Sequence, residues 1–146
     1  MQKITPFLWF ESQANEAAQF YTTVFKNCKI VSSNPMSTTF ELEGVNYTAF
    51  NGGPHYKLTP SFSLFISCDT QEEVDMYWDK LLEGGGREDK CGWMQDRYGV
   101  SWQVIPKGLE QLLFDADREK GQRAMDAMMT MKKLDIAALR KAHDGN

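Results

Sequence analysis

The chain has 146 residues, of which 42% are hydrophobic and 12% aromatic, and a formal net charge of −4 at pH 7. This composition is typical of one compact domain, and the negative charge argues against a nucleic-acid-binding surface, which needs clustered lysine and arginine. No apolar run approaches the roughly 18 residues that cross a bilayer, and the N-terminus lacks the layout of a signal peptide. We therefore expect a soluble cytoplasmic protein that contacts neither nucleic acid nor membranes.

The first third of the chain predicts a strand, a helix and three further strands. Apolar residues occupy both faces of residues 4–10, which indicates a strand covered on both sides. Ser12 is the predicted N-cap of the next helix, whose apolar stripe consists of Ala14, Ala17, Ala18, Tyr21, Val24 and Phe25. Short strands are predicted at residues 28–33, 38–42 and 46–51, with a tight turn at Glu43 and Gly44.

The same order of elements returns after a linker. Residues 51–55 contain two glycines and a proline, which interrupt strands and helices alike. An alternating strand is predicted at residues 61–67, and Thr70 and Glu73 form a capping box for a second helix. Three glycines at residues 84–86 supply the left-handed end of that helix. Strands near residues 88–91 and 101–105 complete the second copy.

This repetition predicts an α+β fold of two tandem βαβββ modules, at about residues 1–54 and 60–107, within a single domain spanning residues 1–146. A repeat of this length cannot bury its own apolar face, so we expect the copies to pair and to leave a ligand cleft at their seam. After Pro106 the pattern is helical only. It predicts a C-terminal extension over residues 108–146, with helices near residues 109–113, 122–133 and 134–142.

Several short segments, in this order and spacing, resemble a known superfamily. They are ITPFLWF at residues 4–10, AAQFY at 17–21, FNGGP at 50–54, DTQEEVD at 69–75, CGW at 91–93 and GVSWQV at 99–104, with DIAAL at 135–139 in the last helices. Together they resemble the vicinal oxygen chelate superfamily, which has the glyoxalase/bleomycin-resistance/dihydroxybiphenyl-dioxygenase-like fold. Within it the chain is most similar to the PhnB-like family, often labelled 3-demethylubiquinone-9 3-methyltransferase. The resemblance implies that each module curls into half of a cup around a small-molecule pocket.

The resemblance also implies where a metal would be held, because glyoxalase-like members use four His or Glu side chains from equivalent strands. The corresponding positions fall near Pro6, within residues 49–51, within residues 61–63 and at Gln103, and none is His, Asp or Glu. The chain has only two histidines, and its three cysteines lack C-x-x-C spacing, which favours idle reduced thiols over a redox or metal role. We therefore predict no metal and no cofactor. A hard cation held loosely by carbonyl groups remains the alternative.

The methyltransferase label of the family implies a methyl donor, which typically binds a doubly wound parallel sheet with a glycine-rich loop between a strand and a helix. In this chain the glycines at residues 84–86 follow a predicted helix instead. The chain is also short for that architecture together with a quinone site. We therefore do not expect methyl transfer, and a titration with S-adenosylmethionine would test this.

The candidate site residues come from the cup-facing strands and the linker. We predict ligand-binding roles for Trp9, Asn51, His55, Ser63, Trp93 and Gln103. Gln103, between apolar neighbours on a strand, needs a partner, which is either a ligand or another side chain. His55 is the candidate general base, although a lone linker histidine is most often simply solvated. For Trp9 and Trp93, the alternative to a ligand-binding role is packing in the hydrophobic core.

Two functions fit these residues. The first is binding or sequestration of a small organic or aromatic ligand in an apolar cup by a homodimer. The alternative is an enzyme acting on a small oxygenated or aromatic metabolite, such as a lyase or isomerase, that polarises its substrate with His55 or Gln103. The missing metal ligands favour the first, but a fold does not fix a function.

Overall fold

The computed structural model of the protein describes residues 2–146, which divide into two compact units, residues 2–59 and residues 60–146. Each unit contains one four-stranded mixed sheet with a long helix on one of its faces. In both sheets the first and last strands of the unit run parallel side by side, and the remaining neighbours are antiparallel. The two βαβββ units confirm the predicted α+β fold.

The first unit consists of β1 (Phe7–Phe10), α1 (Ala14–Val24), β2 (Cys28–Ser33), β3 (Ser37–Leu42) and β4 (Val45–Asn51), with the sheet order β1-β4-β3-β2. The small residues of α1 let it lie close to the sheet, and Ala14, Ala17 and Ala18 are fully buried. From the sheet, Leu8 and Phe40 complete this core. Strand alternation places the intervening side chains on the other face.

Two local predictions in the first unit are wrong. The first strand begins at Phe7 instead of residue 4, and Phe7 is 59% exposed although Leu8 beside it is buried. The strand is therefore covered on one face only. The helix is not capped by Ser12, because Gln13 stands at the N-cap and makes no side-chain capping bond. The predicted turn at Glu43 and Gly44 is confirmed, since both have positive φ, at 51° and 81°.

The second unit begins with β5 (Ser63–Cys68), α2 (Gln71–Leu82), β6 (Arg87–Glu88), β7 (Trp93–Gln95) and β8 (Ser101–Pro106), in the sheet order β5-β8-β7-β6. The predicted capping box is confirmed: Thr70 Oγ1 accepts a hydrogen bond from the Glu73 amide, and Glu73 Oε1 accepts one from the Asp69 amide. The predicted strand near residues 88–91 is only partly confirmed, because β6 ends at Glu88. Cys91 and the glycine after it have positive φ and form the turn that leads into β7.

Three helices follow the second sheet, as predicted for the C-terminal extension. They are α3 (Leu109–Leu113), α4 (Arg118–Met128) and α5 (Ile136–Asp144). The second of them begins earlier than predicted because Asp117 caps it, accepting hydrogen bonds from the amides of Glu119 and Lys120. Among residues 2–146, no helix has the length and apolar character needed to span a membrane.

Candidate functional site

The sheet of the second unit has one face covered by α2 and a second face, which we call the open face. The open face carries Ser63, Phe65 and Ser67 from β5, Trp93 from β7, and Gln103 and Ile105 from β8. Its centre is set by register, because Gln103 pairs with Phe65 on one side and with Trp93 on the other. Residues paired across neighbouring strands point to the same side of a sheet. Three side chains that are distant in sequence therefore form one surface.

A cavity of about 390 Å³ lies against the open face. We call it the Gln103 cavity. The sheet contributes Phe65, Trp93 and Gln103 to its walls, and the helical extension contributes Glu110 and Met128. The side chain of Phe65 is 57% exposed, an unusual state for a large aromatic residue on a strand. The cavity thus combines aromatic surface with a few polar groups.

Gln103 is half-buried, and of the two polar atoms of its side-chain amide only the nitrogen makes a hydrogen bond within residues 2–146. Its Nε2 donates a hydrogen bond to Ser63 Oγ over 3.0 Å. This bond fixes the orientation of the amide and directs the carbonyl oxygen Oε1 away from Ser63. Within residues 2–146, no donor is bonded to Oε1. Gln103 is therefore both a structural partner of Ser63 and a neutral acceptor that remains available.

Trp93 lies between the Gln103 cavity and a second cavity of about 220 Å³. Arg87, Gln95 and Ser101 line the second cavity. Arg87 Nη2 donates to Gln95 Oε1 over 2.8 Å, so the charged group and the amide are already paired. The Ser101 hydroxyl is buried and has no hydrogen-bond partner in the part of the chain described. The two cavities differ in character, because charged and polar side chains make up most of the lining of the smaller one.

Two of the three cysteine thiols, those of Cys28 and Cys68, are poor nucleophiles because burial raises their pKa. Burial raises the pKa of Cys68 to about 12 and the pKa of Cys28 to about 11. Both are therefore protonated at neutral pH, and all three cysteines are free of disulfides. Cys91 lies in the wall of the Gln103 cavity, where its Sγ is 3.7 Å from Met129 Sδ.

In the first unit, Trp9 belongs to a partly exposed aromatic cluster. Its ring makes edge contacts with Phe50 and Tyr56 at centroid distances of 5.3 and 5.0 Å. Its Nε1 donates to the Gly53 carbonyl over 2.9 Å. A Cβ atom on Gly52 would lie only 2.2 Å from the indole, so glycine is required for this close approach. The indole N–H of Trp9 is thus used within the fold, while one ring face belongs to the unit's surface.

Asn51 lies on the other face of the first sheet, towards α1. Its Oδ1 accepts a hydrogen bond from the Ala14 amide over 2.8 Å, and its Nδ2 donates to the Pro35 carbonyl over 3.3 Å. Asn51 therefore provides the N-terminal cap that was expected from Ser12. Both polar atoms of its side-chain amide therefore already make hydrogen bonds within the protein. A ligand-binding role for Asn51 stays a prediction. His55 lies in an exposed loop and has no hydrogen bond or ion pair with residues 2–146.

The residues at the positions where glyoxalase-like proteins hold a metal do not fit such a centre. In the first unit, Pro6 has no donor side chain, and Asn51 uses its oxygen to cap α1. In the second unit, Ser63 and Gln103 bond to each other. Neutral amides and hydroxyls are weak ligands for zinc, nickel or iron. Within residues 2–146, no group of three or more His, Cys, Asp or Glu side chains could hold an ion. The prediction of a metal-free site rests on this donor set.

Most residues that line the Gln103 cavity were not singled out from the sequence, among them Phe65, Ile105, Glu110 and Met128. Phe65 follows Ser63 by two residues, and Ile105 follows Gln103 by two, so strand alternation alone could have found both. The other two come from the helical extension, where methionines at helical spacing usually indicate packing. Nothing in the spacing shows which helix end approaches the sheet.

Comparisons with known proteins agree with this architecture. The model of the family described as 3-demethylubiquinone-9 3-methyltransferase matches residues 2–105. The structure of a PhnB protein from Bacillus cereus is 34% identical and has a TM-score of 0.65, with 72% of this chain and 99% of that chain covered. No curated protein sequence matches.

More distant structures share the fold alone. The fosfomycin resistance protein FosX from Listeria monocytogenes, solved with Mn(II) and sulfate, is 17% identical with a TM-score of 0.58, covering 78% of this chain and 98% of that one. A glyoxalase/bleomycin resistance protein from Albidiferax ferrireducens is 11% identical with a TM-score of 0.53, covering 73% and 99%. The predicted glyoxalase/bleomycin-resistance-type fold is thereby confirmed. The chain belongs to the PhnB-like family, described as 3-demethylubiquinone-9 3-methyltransferase.

Proposed function

We propose that the protein binds a small organic ligand with an aromatic ring in the Gln103 cavity. The observation that carries this proposal is the composition of the cavity wall, in which Phe65 and Trp93 flank an amide with a free acceptor atom. Its volume of about 390 Å³ lies within the range of small-molecule pockets, roughly 300–1,000 Å³. An apolar pocket with a few convergent polar groups is the usual form of such a site.

The energetics favour an aromatic ligand. Phe65 exposes more than half of its surface, so a ring that covers it removes apolar area from water. Pairs of aromatic rings add about 0.5–1.5 kcal/mol beyond that area. Oε1 of Gln103 would accept a hydrogen bond from a hydroxyl or N–H group on the ligand, while the bond to Ser63 keeps the amide in position. We infer that Trp93 forms a second aromatic wall.

Binding or sequestration fits the site better than catalysis by its own side chains. The groups nearest the centre of the open face are the amide of Gln103 and the hydroxyl of Ser63, and neither transfers protons near neutral pH. The methyl transfer named in the family description also lacks its usual structural basis. The glycines at residues 84–86 end helix α2, with Gly84 at φ 81°, and do not form a loop from a strand into a helix. We therefore do not propose methyl transfer for this protein.

The test is a titration of the full chain with phenol and benzyl alcohol, followed by NMR signals of the Gln103 side-chain amide and the Trp93 indole. We expect saturable shifts of both signals. Phe65→Ala should weaken binding about tenfold, because a large exposed contact is lost while the core stays intact. Phe114→Ala is the matched control, since Phe114 is 73% exposed and lies outside the cavity. Equal affinities of the two variants, or no saturable shift, would refute the proposal.

The alternative enzymatic function predicts a different result. Turnover of an oxygenated or aromatic metabolite that disappears in His55→Ala, with binding unchanged, would replace the sequestering role with catalysis. We also propose that the protein is a homodimer in the cytoplasm. Sedimentation equilibrium of the full chain tests the dimer, and a monomer at all concentrations would exclude it.

A further inference from the structure

The Gln103 cavity has a wall that lies outside the part of the chain matched by the family model. That match ends at residue 105, and the cavity continues along the start of α3 with Glu110 and Gln111 and reaches α4 at Met128. The PhnB structure from Bacillus cereus is covered over 99% of its length by 72% of this chain. The helical extension is therefore the part of this protein that can distinguish its ligand from those of shorter relatives.

The extension is held firmly to the second sheet, so its wall has a defined position. Ile105 and Leu109 form a buried cluster with Leu134 and Leu139. The amides of Cys91 and Gly92 donate to the carbonyls of Met131 and Lys132, each over 2.8 Å. These contacts join the loop before β7 to the segment between α4 and α5.

The side chain of Gln71, at the start of α2, adds a second attachment. Its Nε2 donates to the Leu134 carbonyl over 3.0 Å, and its Oε1 accepts from the Ile136 amide over 2.8 Å. Lys133 Nζ also lies 2.9 Å from Asp75 Oδ1. A wall attached at so many points can contribute to selectivity, because it does not have to be ordered by the ligand.

The charges in the cavity wall are not balanced. Lys107 also lines the cavity, but its charge is paired with Asp69, which does not line it, at 2.5 Å between Nζ and Oδ1. Glu110 has no ion pair among residues 2–146. The remaining polar groups of the wall are neutral, such as the amides of Gln103 and Gln111. The cavity therefore presents aromatic rings and one uncompensated carboxylate.

We propose that the helical extension makes the Gln103 cavity selective for organic cations, namely aromatic ligands bearing an ammonium group. A cation is attracted by the faces of Phe65 and Trp93 through their ring quadrupoles and by the carboxylate of Glu110. The acceptor Oε1 of Gln103 suits an ammonium N–H and repels a ligand carboxylate. This inference rests on the proposed function, and it adds the charge of the ligand.

The test compares three probes that share one ring: benzylammonium, benzyl alcohol and benzoate. We expect the full chain to bind benzylammonium about threefold more tightly than benzyl alcohol, and benzoate most weakly, as appropriate for an exposed charge pair. The preference should shrink as salt is raised, because Glu110 is exposed and screening is strong. Glu110→Gln should reduce the preference for the cation, with the ring faces and Gln103 Oε1 accounting for what is left, and should weaken benzylammonium more than benzyl alcohol.

Glu119→Gln is the matched control, since Glu119 is an exposed carboxylate of the extension that lies outside the cavity. It should leave all three affinities unchanged. If benzyl alcohol binds and Glu110→Gln does not reduce the preference for benzylammonium, this inference is wrong and the proposed aromatic site stands. If none of the probes shifts the Trp93 and Gln103 signals, both are wrong.

Discussion

In the first unit the amide of Asn51 is consumed within the fold, whereas in the second unit the amide of Gln103 keeps its oxygen free. Both residues lie on the last strand of a βαβββ unit, where that strand pairs in parallel with the first. Their side chains point to opposite faces. Asn51 faces the helix and caps it, and Gln103 faces away from the helix and towards the cavity. Because successive side chains of a strand alternate between the two faces of the sheet, the position along the strand decides which face an amide occupies. The amide of Asn51 thereby becomes structural and that of Gln103 a candidate for binding.

The two units also differ in the turn that precedes the last strand. In the first unit Glu43 and Gly44 make an exposed turn with positive φ, and the Glu43 side chain accepts only one hydrogen bond within residues 2–146, from Asn27 Nδ2 over 3.0 Å. In the second unit the turn is organised by Asp96, whose side chain is 3% exposed. Asp96 Oδ1 accepts from the amides of Tyr98 and Val100, and Oδ2 accepts from Trp102 Nε1 over 2.9 Å. A buried carboxylate therefore fixes β8, the strand that carries Gln103.

The largest effect that would sharpen this comparison is expected from Asp96→Ala. Removing the carboxylate leaves buried donors without partners, which should lower the free energy of unfolding by about 3 kcal/mol. Glu43→Ala, in the corresponding turn of the first unit, should cost less than about 1 kcal/mol because its side chain is exposed. Urea unfolding measures both. Equal losses for the two variants would contradict the distinction between the turns.

Asp96→Asn provides a second measurement in case Asp96→Ala does not fold. Its carbonyl oxygen can still accept from the two backbone amides, but its NH₂ group faces the indole N–H of Trp102. We expect a loss between those of Asp96→Ala and Glu43→Ala. A stability equal to that of the wild type would show that the contact with the indole contributes nothing.

Local features of the fold could be predicted from the sequence, and remote ones could not. The capping box of Thr70 and Glu73 and the turn at Glu43 depend on residues within four positions of each other, so spacing was sufficient. The cap from Asn51 to Ala14 spans 37 residues and depends on the position of β4 beside α1. Ser12 fits the local pattern of an N-cap, but its prediction as the cap was wrong because the cap comes from a residue distant in the sequence.

The candidate site shows the same limit. The face on which Gln103 lies was expected from the family resemblance, and its partner Ser63 was among the candidate residues. The strand that carries Trp93 was misplaced, because Cys91 adopts a positive φ that its sequence position does not reveal. The wall formed by Glu110 and Met128 depends on how three helices pack, which their apolar stripes leave open.

A smaller effect distinguishes the two helix caps. Asn51→Ala and Thr70→Ala should each lower the free energy of unfolding by about 1 kcal/mol, because each removes the acceptor of a first-turn amide. Asn51→Asp should keep most of the stability, since it retains the acceptor and adds a negative charge at a helix N-terminus. Neither change at Asn51 should alter the affinity for benzyl alcohol. A weaker affinity with unchanged stability would make Asn51 a ligand contact instead of a cap.

The smallest effect concerns His143, which belongs to the extension of the second unit and has no counterpart in the first. Its Nε2 lies 2.8 Å from Asp115 Oδ2, and its Nδ1 lies 3.1 Å from Asp144 Oδ1. Hydrogen bonds to Asp144 and Asp115 raise the pKa of His143 above its ordinary value of 6.5. The hydrogen bond from the Asp117 amide, followed by that from His143, lowers the pKa of Asp115 below 3.8.

The pH dependence follows from the signs of these shifts. The folded state binds the His143 proton more tightly, so this contribution to stability is complete below about pH 6.5 and is lost as pH rises through the raised pKa. The contribution of Asp115 is complete above about pH 3.8 and is lost as pH falls through its lowered pKa. The extension should therefore be most stable between these limits.

His143→Gln tests this by comparison with His55→Gln, a change in the exposed loop of the first unit. Urea unfolding between pH 6 and pH 9 should show the wild type losing stability as pH rises, with His143→Gln losing less and His55→Gln behaving as the wild type. Hydrogen exchange of the α5 amides should show the same difference locally, because Arg123 also joins α4 to this end of α5 through the carbonyls of Ala142 and His143. A pH dependence that survives in His143→Gln would assign it to other groups and would remove the proposed charge contact between α5 and Asp115.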